Sequence, residues 1–263
     1  MINPFENVNG HRNETTCAYA LTNIHPMENH PFKVKDDEDM AALVESIRKY
    51  GVLNPIIIRK RQTGGGYEIV SGHRRYEACK RLNKFDIPVI VRDLTDEEAV
   101  LTMVDANLQR ERILPSEKAF AYKMKMDVLR HQGSSCQDGT KRSDEALAES
   151  TEDGARQIQR YIRLTYLIPE LLTMVDENKI AFSPAVEISY LEHSEQFVLL
   201  DAINLNDCTP SHAQSIRLKK LSQEGLLDQS AIYEIMSEEK PNQQEQIKLK
   251  RNDLRKYFPP NYT

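Results

Sequence analysis

Apolar residues change their spacing near residue 95, and that change sets the expected fold. Ahead of it, residues 1–17 are polar and read as a flexible tail, followed by a short strand expected through Tyr19 to Ile24. Met40, Leu43, Val44, Ile47 and Tyr50 then recur at helical spacing. They follow Asp36 and Asp37, whose charge suits the positive end of a helix, and Gly51 is the expected stop. The β-rich runs PIIIRK and GYEIV flank a QTGG turn and predict a hairpin, and IPVIVRD predicts a further strand after the helical run HRRYEACKRLN. From Thr95 onward every pattern is helical. TDEE caps AVLTMVDANL, and SEKAFAYKMKMDVLRH follows Pro115. After the polar loop GSSCQDGTKR come EALAES, ARQIQRYIRLTYL, IPELLTMVDEN, SPAVEISYLEH, PSHAQSIRLKKLSQ and QSAIYEIMSEE. The expected architecture is an α+β domain over 18–112, then an all-α domain over 113–236 with a helix-turn-helix at 143–165. A polar segment over 237–263 closes the chain, without a sustained heptad pattern.

At 263 residues, 40% hydrophobic and 29% charged, the chain can bury cores for two small domains and is not a disordered polyelectrolyte. A formal net charge of -5 excludes a uniformly basic nucleic-acid coat, so any DNA contact has to come from locally clustered Lys and Arg. Cys17, Cys79, Cys136 and Cys208 lie too far apart for a short-spaced zinc or redox pair. No run approaches the roughly 20 apolar residues of a membrane span, and the start MINPFENVNGHRNE lacks a signal-peptide core, so a cytoplasmic location is expected.

Four constellations can carry chemistry. In SGHRRYEA, Gly72 ends a strand and a helix begins at about His73, where unpaired N–H groups and the helix dipole favour an anion. Arg74 and Arg75 add permanent charge, but neighbouring helix positions point about 100° apart. One is expected to face a phosphate and the other to anchor a carboxylate or a second phosphate. In VDANLQRERILPSEKA, Asn107, Gln109 and Arg110 crowd a helix end, where a carboxamide can ligate or orient a metal-bound water and an Arg can bind phosphate. In YGVLNPIIIR, Gly51 stops a helix and Asn54-Pro55 launches a strand at the rim of the same sheet. EALAESTEDGARQIQRYIRL has the proportions of two short helices about a tight turn. Ile158, Ile162 and Leu164 are expected inward, and Arg156, Gln157, Gln159, Arg160 and Arg163 outward. An outward face of bases and amides without acids suits contacts to base edges and phosphates. Each constellation also has a plain reading, as a basic surface helix, a polar helix end, turn chemistry or a solvated amphipathic face.

The order GVLNP, SGHRRYEA, ANLQRE with LPSEKA, then a helix-turn-helix ending in RYIRLTYL resembles the ParB/RepB partition family over residues 20–192. The resemblance implies a ParB/sulfiredoxin-like fold for the first domain and a CTP-binding clamp module. In that module the GHRR and NLQR segments hold the triphosphate and a magnesium ion, with Asn107 toward the metal. It further implies loading at a centromere-like site on double-stranded DNA for plasmid or mobile-element segregation, a homodimer, a ParA-type motor ATPase as partner, and association with nucleoid or plasmid. The family usually reads Gly-Glu-Arg-Arg where this chain has Gly72-His73-Arg74-Arg75, and Glu-Asn-x-Gln-Arg where it has Ala106-Asn107-Leu108-Gln109-Arg110. The second missing carboxylate is the one implicated in hydrolysis, and Ala106 has no atom that orients water, so at most a weak CTPase is expected, with Asp105 the only nearby reserve. A ParB-like transcription regulator without spreading is the alternative on the same scaffold. Two enzymatic readings have less to stand on. A sulfiredoxin would need a reactive Cys at Ser71-Gly72-His73, from which Cys79 lies about two turns away. A nuclease would need a carboxylate/His cluster that no spacing singles out.

Overall fold

The computed structural model describes residues 15–27, 31, 32, 34, 36–110, 113–133, 147 and 153–238. The chain divides after Thr165 into two compact units. The first carries strands β1 (Thr16–Ala20), β2 (Ile24–Pro26), β3 (Ile56–Lys60), β4 (Tyr67–Ser71) and β5 (Asp86–Val91). Its helices are α1 (Glu38–Tyr50), α2 (His73–Arg81), α3 (Asp96–Leu108), α4 (Pro115–Gly133) and α5 (Ala155–Arg163). The sheet order is β1-β5-β3-β4-β2, with β1/β5 and β3/β4 antiparallel and β5/β3 and β4/β2 parallel. The sheet curls enough for Tyr19 on β1 to meet Tyr67 on β4 edge to face, ring centroids 4.9 Å apart.

Helices cover both faces of the sheet, so its central strand β3 is apolar on both sides. Ile56 and Ile58 point with Ile69, Ile87 and Val89 toward Met40, Ile47 and Ala78 of α1 and α2. Ile57 and Val70 point the other way, toward Ala99, Met103 and Val104 of α3 and Ala121 of α4. This alternation explains the uninterrupted III of β3. Thr95 caps α3 in a reciprocal capping box with Glu98. Buried Arg59 pins the first turn of α3 to the sheet by reaching Glu68 at 2.5 Å, Asp96 at 2.6 Å and the Leu94 carbonyl at 3.3 Å.

The hairpin, the α1, α2 and α3 helices and the helical second half match expectation. The single strand expected through Tyr19 to Ile24 is instead two strands joined by a 3-10 turn at Leu21–Asn23, because β1 pairs with β5 whereas β2 pairs with β4. Helices α4 and α5 belong by packing to the unit that bears the sheet, whereas the sequence pattern starts the helical domain at 113. The first helix of the expected helix-turn-helix lies largely outside the described residues, as do most of the tail and the segment beyond 238. Leu147 from that region is buried against Tyr122, Met126 and Ile158.

The second unit holds α6 (Pro169–Asp176), α7 (Phe182–Ile188), α8 (His193–Asn206), α9 (His212–Gln223) and α10 (Gln229–Ser237). Its fully buried Gln196 accepts from the Ile168 N–H at 2.8 Å and donates to the carbonyls of Leu191 and Tyr166 at 3.0 and 3.1 Å, joining three chain segments by a satisfied amide. Helix α8 was not expected from the pattern.

Candidate functional site

A cavity of about 290 Å³ opens where the start of α2 meets the end of α3. Its wall is Ser71, Gly72, His73, Arg74 and Arg75 from one segment, Ala106, Asn107 and Arg110 from the other, and Leu43 from α1. Two motifs separated by thirty residues of sequence thus face one space. Gly72 makes the junction possible. It is the cap of α2 at φ 108°, and a Cβ there would sit 2.5 Å from Ile56 Cγ2. Gly72 has no side chain with which to cap the first turn of α2, and the positive end of that helix faces the cavity wall.

The arginines divide their work. Arg74 binds Asp37 through two contacts, Nη2 to Oδ1 at 2.8 Å and Nη1 to Oδ2 at 3.4 Å. Arg75 donates from Nη1 to the carbonyls of Asn54 and Pro55 at 2.5 and 2.8 Å, so the GVLNP turn reaches the cavity through Arg75 while Gly51, Asn54 and Pro55 stay outside its wall. Arg110 rests over the Phe32 ring at 5.9 Å. Burial pushes the Arg75 guanidinium below its ordinary pKa, and carbonyl oxygens offer it no countercharge. Burial also lowers Arg110; Glu117 opposes that shift and the charge of Arg74 adds to it. Arg75 and Arg110 are thus wall cations that an anion in the cavity could compensate.

At the α3 side, Asn107 is buried and donates from Nδ2 to the Met103 carbonyl at 2.7 Å, which leaves its oxygen as the atom with ligand chemistry. Among the described residues no carboxylate lines the cavity. With only neutral side-chain oxygens, those of Asn107 and Ser71, in this wall, a magnesium ion would fit as one carried in by phosphates. Gln109 caps α3, is exposed and stays outside the wall. Asp105 is also outside the wall and accepts from Lys125 of α4 at 2.6 Å, so the carboxylate held in reserve for catalysis is committed to joining α3 and α4. Cys79 is fully buried, and burial raises its thiol pKa, which counts against a reactive cysteine. Among the described residues no group of three or more His, Cys, Asp or Glu is placed to hold a metal.

Helix α5 presents the expected polar face. Arg156 and Gln159 are exposed, Gln157, Arg160 and Arg163 are half-buried, and Arg160 donates to Gln157 Oε1 at 3.2 Å. Ile158 and Leu164 are buried and Ile162 packs against the α4 cluster. Sequence reasoning missed what seats this helix. Asp153, just before it, accepts from Tyr122 Oη and pairs with Lys118 Nζ, both of α4 and both at 2.5 Å. Lys118 also lies over the Tyr122 and Tyr161 rings at 5.7 and 4.8 Å. Burial alone would raise the Asp153 pKa, but the hydrogen bonds from Lys118 and Tyr122 outweigh it and the net shift is down. The tyrosines in AFAYKMK and RYIR were the available signal.

The model of the ParB N-terminal domain matches residues 6–108. The nucleoid occlusion protein of Lysinibacillus sphaericus is 32% identical over 171 residues, 65% of this chain and 53% of that protein. The chromosome-partitioning protein Spo0J of Thermus thermophilus is 31% identical over 197 residues, 75% of this chain and 68% of that protein. The chain thus spans about half the length of the first of these relatives and just over two-thirds of the second. C-terminally truncated ParB of Caulobacter crescentus, solved with its centromeric parS site, is 20% identical with a TM-score of 0.46, covering 84% of this chain and 98% of that one. Solved with CTP-gamma-S, it is 24% identical with a TM-score of 0.35, covering 66% and 92%. With the N-terminal domain matched and the identity to Spo0J running on through α5 and beyond, the chain belongs to the ParB partition-protein family.

Proposed function

We propose that this chain binds a nucleoside triphosphate in the cavity between α2 and α3 and uses α5 to read a specific site on double-stranded DNA, as a partition protein whose DNA engagement is nucleotide-gated. The observation that carries the reading is the convergence of Gly72–Arg75 and Ala106–Arg110 on one cavity walled by three arginines. CTP is the nucleotide that family membership favours. The α2 N-terminus and Arg75 suit the inner phosphates, and Arg110, exposed in the cavity wall, suits the outer one. A magnesium ion bound with the nucleotide would neutralise phosphate charge, with Asn107 as its protein ligand.

Binding is better supported than turnover. Ala106 turns a methyl group to the cavity, and Asp105 is occupied by Lys125. Hydrolysis is therefore slow or absent, and a closed state resets by nucleotide release. A homodimer, a motor-ATPase partner and a cytoplasmic, DNA-associated location belong to the same proposal. Among the described residues no helix is long and apolar enough to cross a membrane. Ultraviolet crosslinking of the purified protein to each labelled nucleoside triphosphate, with and without candidate DNA, tests the reading. CTP should crosslink selectively and in a DNA-dependent manner. Crosslinking that is equal for all four nucleotides, or absent, overturns it.

A further inference from the structure

Asp37 caps α1 by accepting from the Met40 N–H at 2.9 Å, and the same carboxylate holds Arg74 through both of its oxygens. Among the described residues it is the carboxylate paired with an arginine of the cavity wall. The pair is partly solvent-exposed, with 25% of the Arg74 side chain and 36% of the Asp37 side chain accessible. It is held with Asp37 shifted toward the ionised form, chiefly by the hydrogen bond from Arg74 and then by that from the Met40 N–H. Among the described residues Arg75 has only carbonyl partners, whereas Arg74 is neutralised by Asp37 while its charge still reaches Arg110.

From this asymmetry we infer that Asp37 is the internal counter-anion of the cavity: it occupies Arg74 when no nucleotide is bound and competes with the incoming phosphates for it. The inference rests on the nucleotide reading of the cavity. Two effects act in the same direction. The carboxylate repels a polyphosphate electrostatically, and the guanidinium hydrogen bonds that it holds must be given up or shared before phosphate can use them. Asp37 thereby sets the affinity below what the arginines alone would give, which suits a module that has to release its ligand without hydrolysing it. Asp37 acts through Arg74 and is a positioning residue.

The test is a double-mutant cycle on the full chain, with Mg–CTP affinity read by calorimetry in wild type, Asp37→Asn, Arg74→Ala and the double variant. Asparagine caps a helix about as well as aspartate, so α1 should persist, and Asp37→Ser, a second good cap, repeats the measurement with a different side chain. The expected result is binding about two- to fivefold tighter in Asp37→Asn and in Asp37→Ser, the range of a partly exposed ion pair, with no gain when Arg74 is already alanine. Equal or weaker binding in both single variants overturns the proposal. So does a gain that persists in the Arg74→Ala background, since Asp37 would then act as a bulk charge. Wild type that binds no Mg–CTP removes the nucleotide reading itself and this proposal with it.

Discussion

Gly72 bears two constraints at once, a left-handed backbone and a wall of Ile56 where a Cβ would go. Gly72→Ala should therefore cost roughly 1 to 3 kcal/mol of stability and shift the chemical-denaturation midpoint down. An unchanged midpoint would show that the junction relaxes freely. The neighbouring arginines should separate by what each change damages. Arg110→Ala removes a guanidinium that makes few internal bonds and should weaken Mg–CTP about 10- to 150-fold with an unchanged thermal midpoint. Arg75→Ala should lower both, because it also releases the Asn54 and Pro55 carbonyls. Equal thermal midpoints for the two variants would contradict this division. The glycine and the basic pair were legible in SGHRRYEA, as was the expectation that one arginine would anchor a carboxylate. Which arginine it was, and that Asp37 holds it, depends on a contact 37 residues apart that no local spacing encodes.

At the scale of elements, α5 is seated by the Asp153 contacts to Lys118 and Tyr122 of α4. Asp153→Asn should cost about 1 to 2 kcal/mol and weaken all DNA binding by loosening the start of α5. The net-lowered pKa of Asp153 fixes the sign with pH. Its stabilisation is fully present above the unfolded-state value of roughly 3.9 and is lost as pH falls through the lower folded value. Acid unfolding curves of wild type and Asp153→Asn should thus converge in strong acid, and a constant gap down to the lowest pH would assign the effect to packing instead. On α5 itself, Arg156→Ala or Gln157→Ala should cost about 1 to 3 kcal/mol on the specific site while sparing scrambled duplexes. Arg163→Ala should weaken every sequence and flatten the salt dependence by about one unit. Equal behaviour of all three variants on both duplexes would reduce α5 to a solvated face. Elements with a strong period and a conventional cap, such as α1 and α3, were readable. Helix α8 was not, because Glu192 is an unusual cap and apolar residues crowd Phe197–Leu200 without a clean stripe. The break between β1 and β2 was hidden for a related reason: which neighbour each short strand pairs with is decided by the whole sheet.

For the whole molecule, a net charge of -5 requires any DNA contact to be local, and α5, which carries Arg156, Arg160 and Arg163 and no acid, is a local positive face of the kind the proposed contact needs. The nucleotide site itself is proposed at the junction of α2 and α3. Amide chemical shifts of the full chain titrated with Mg–CTP test it most directly, since they report the contacted backbone without a substitution. Saturable shifts are expected at Gly72–Arg75 and Ala106–Arg110, with a weaker response at Asn54 relayed by Arg75. Shifts clustered instead around Arg59, Glu68 and Asp96, which line a separate cavity on the sheet, or no saturable shifts at all, would contradict this placement of the site.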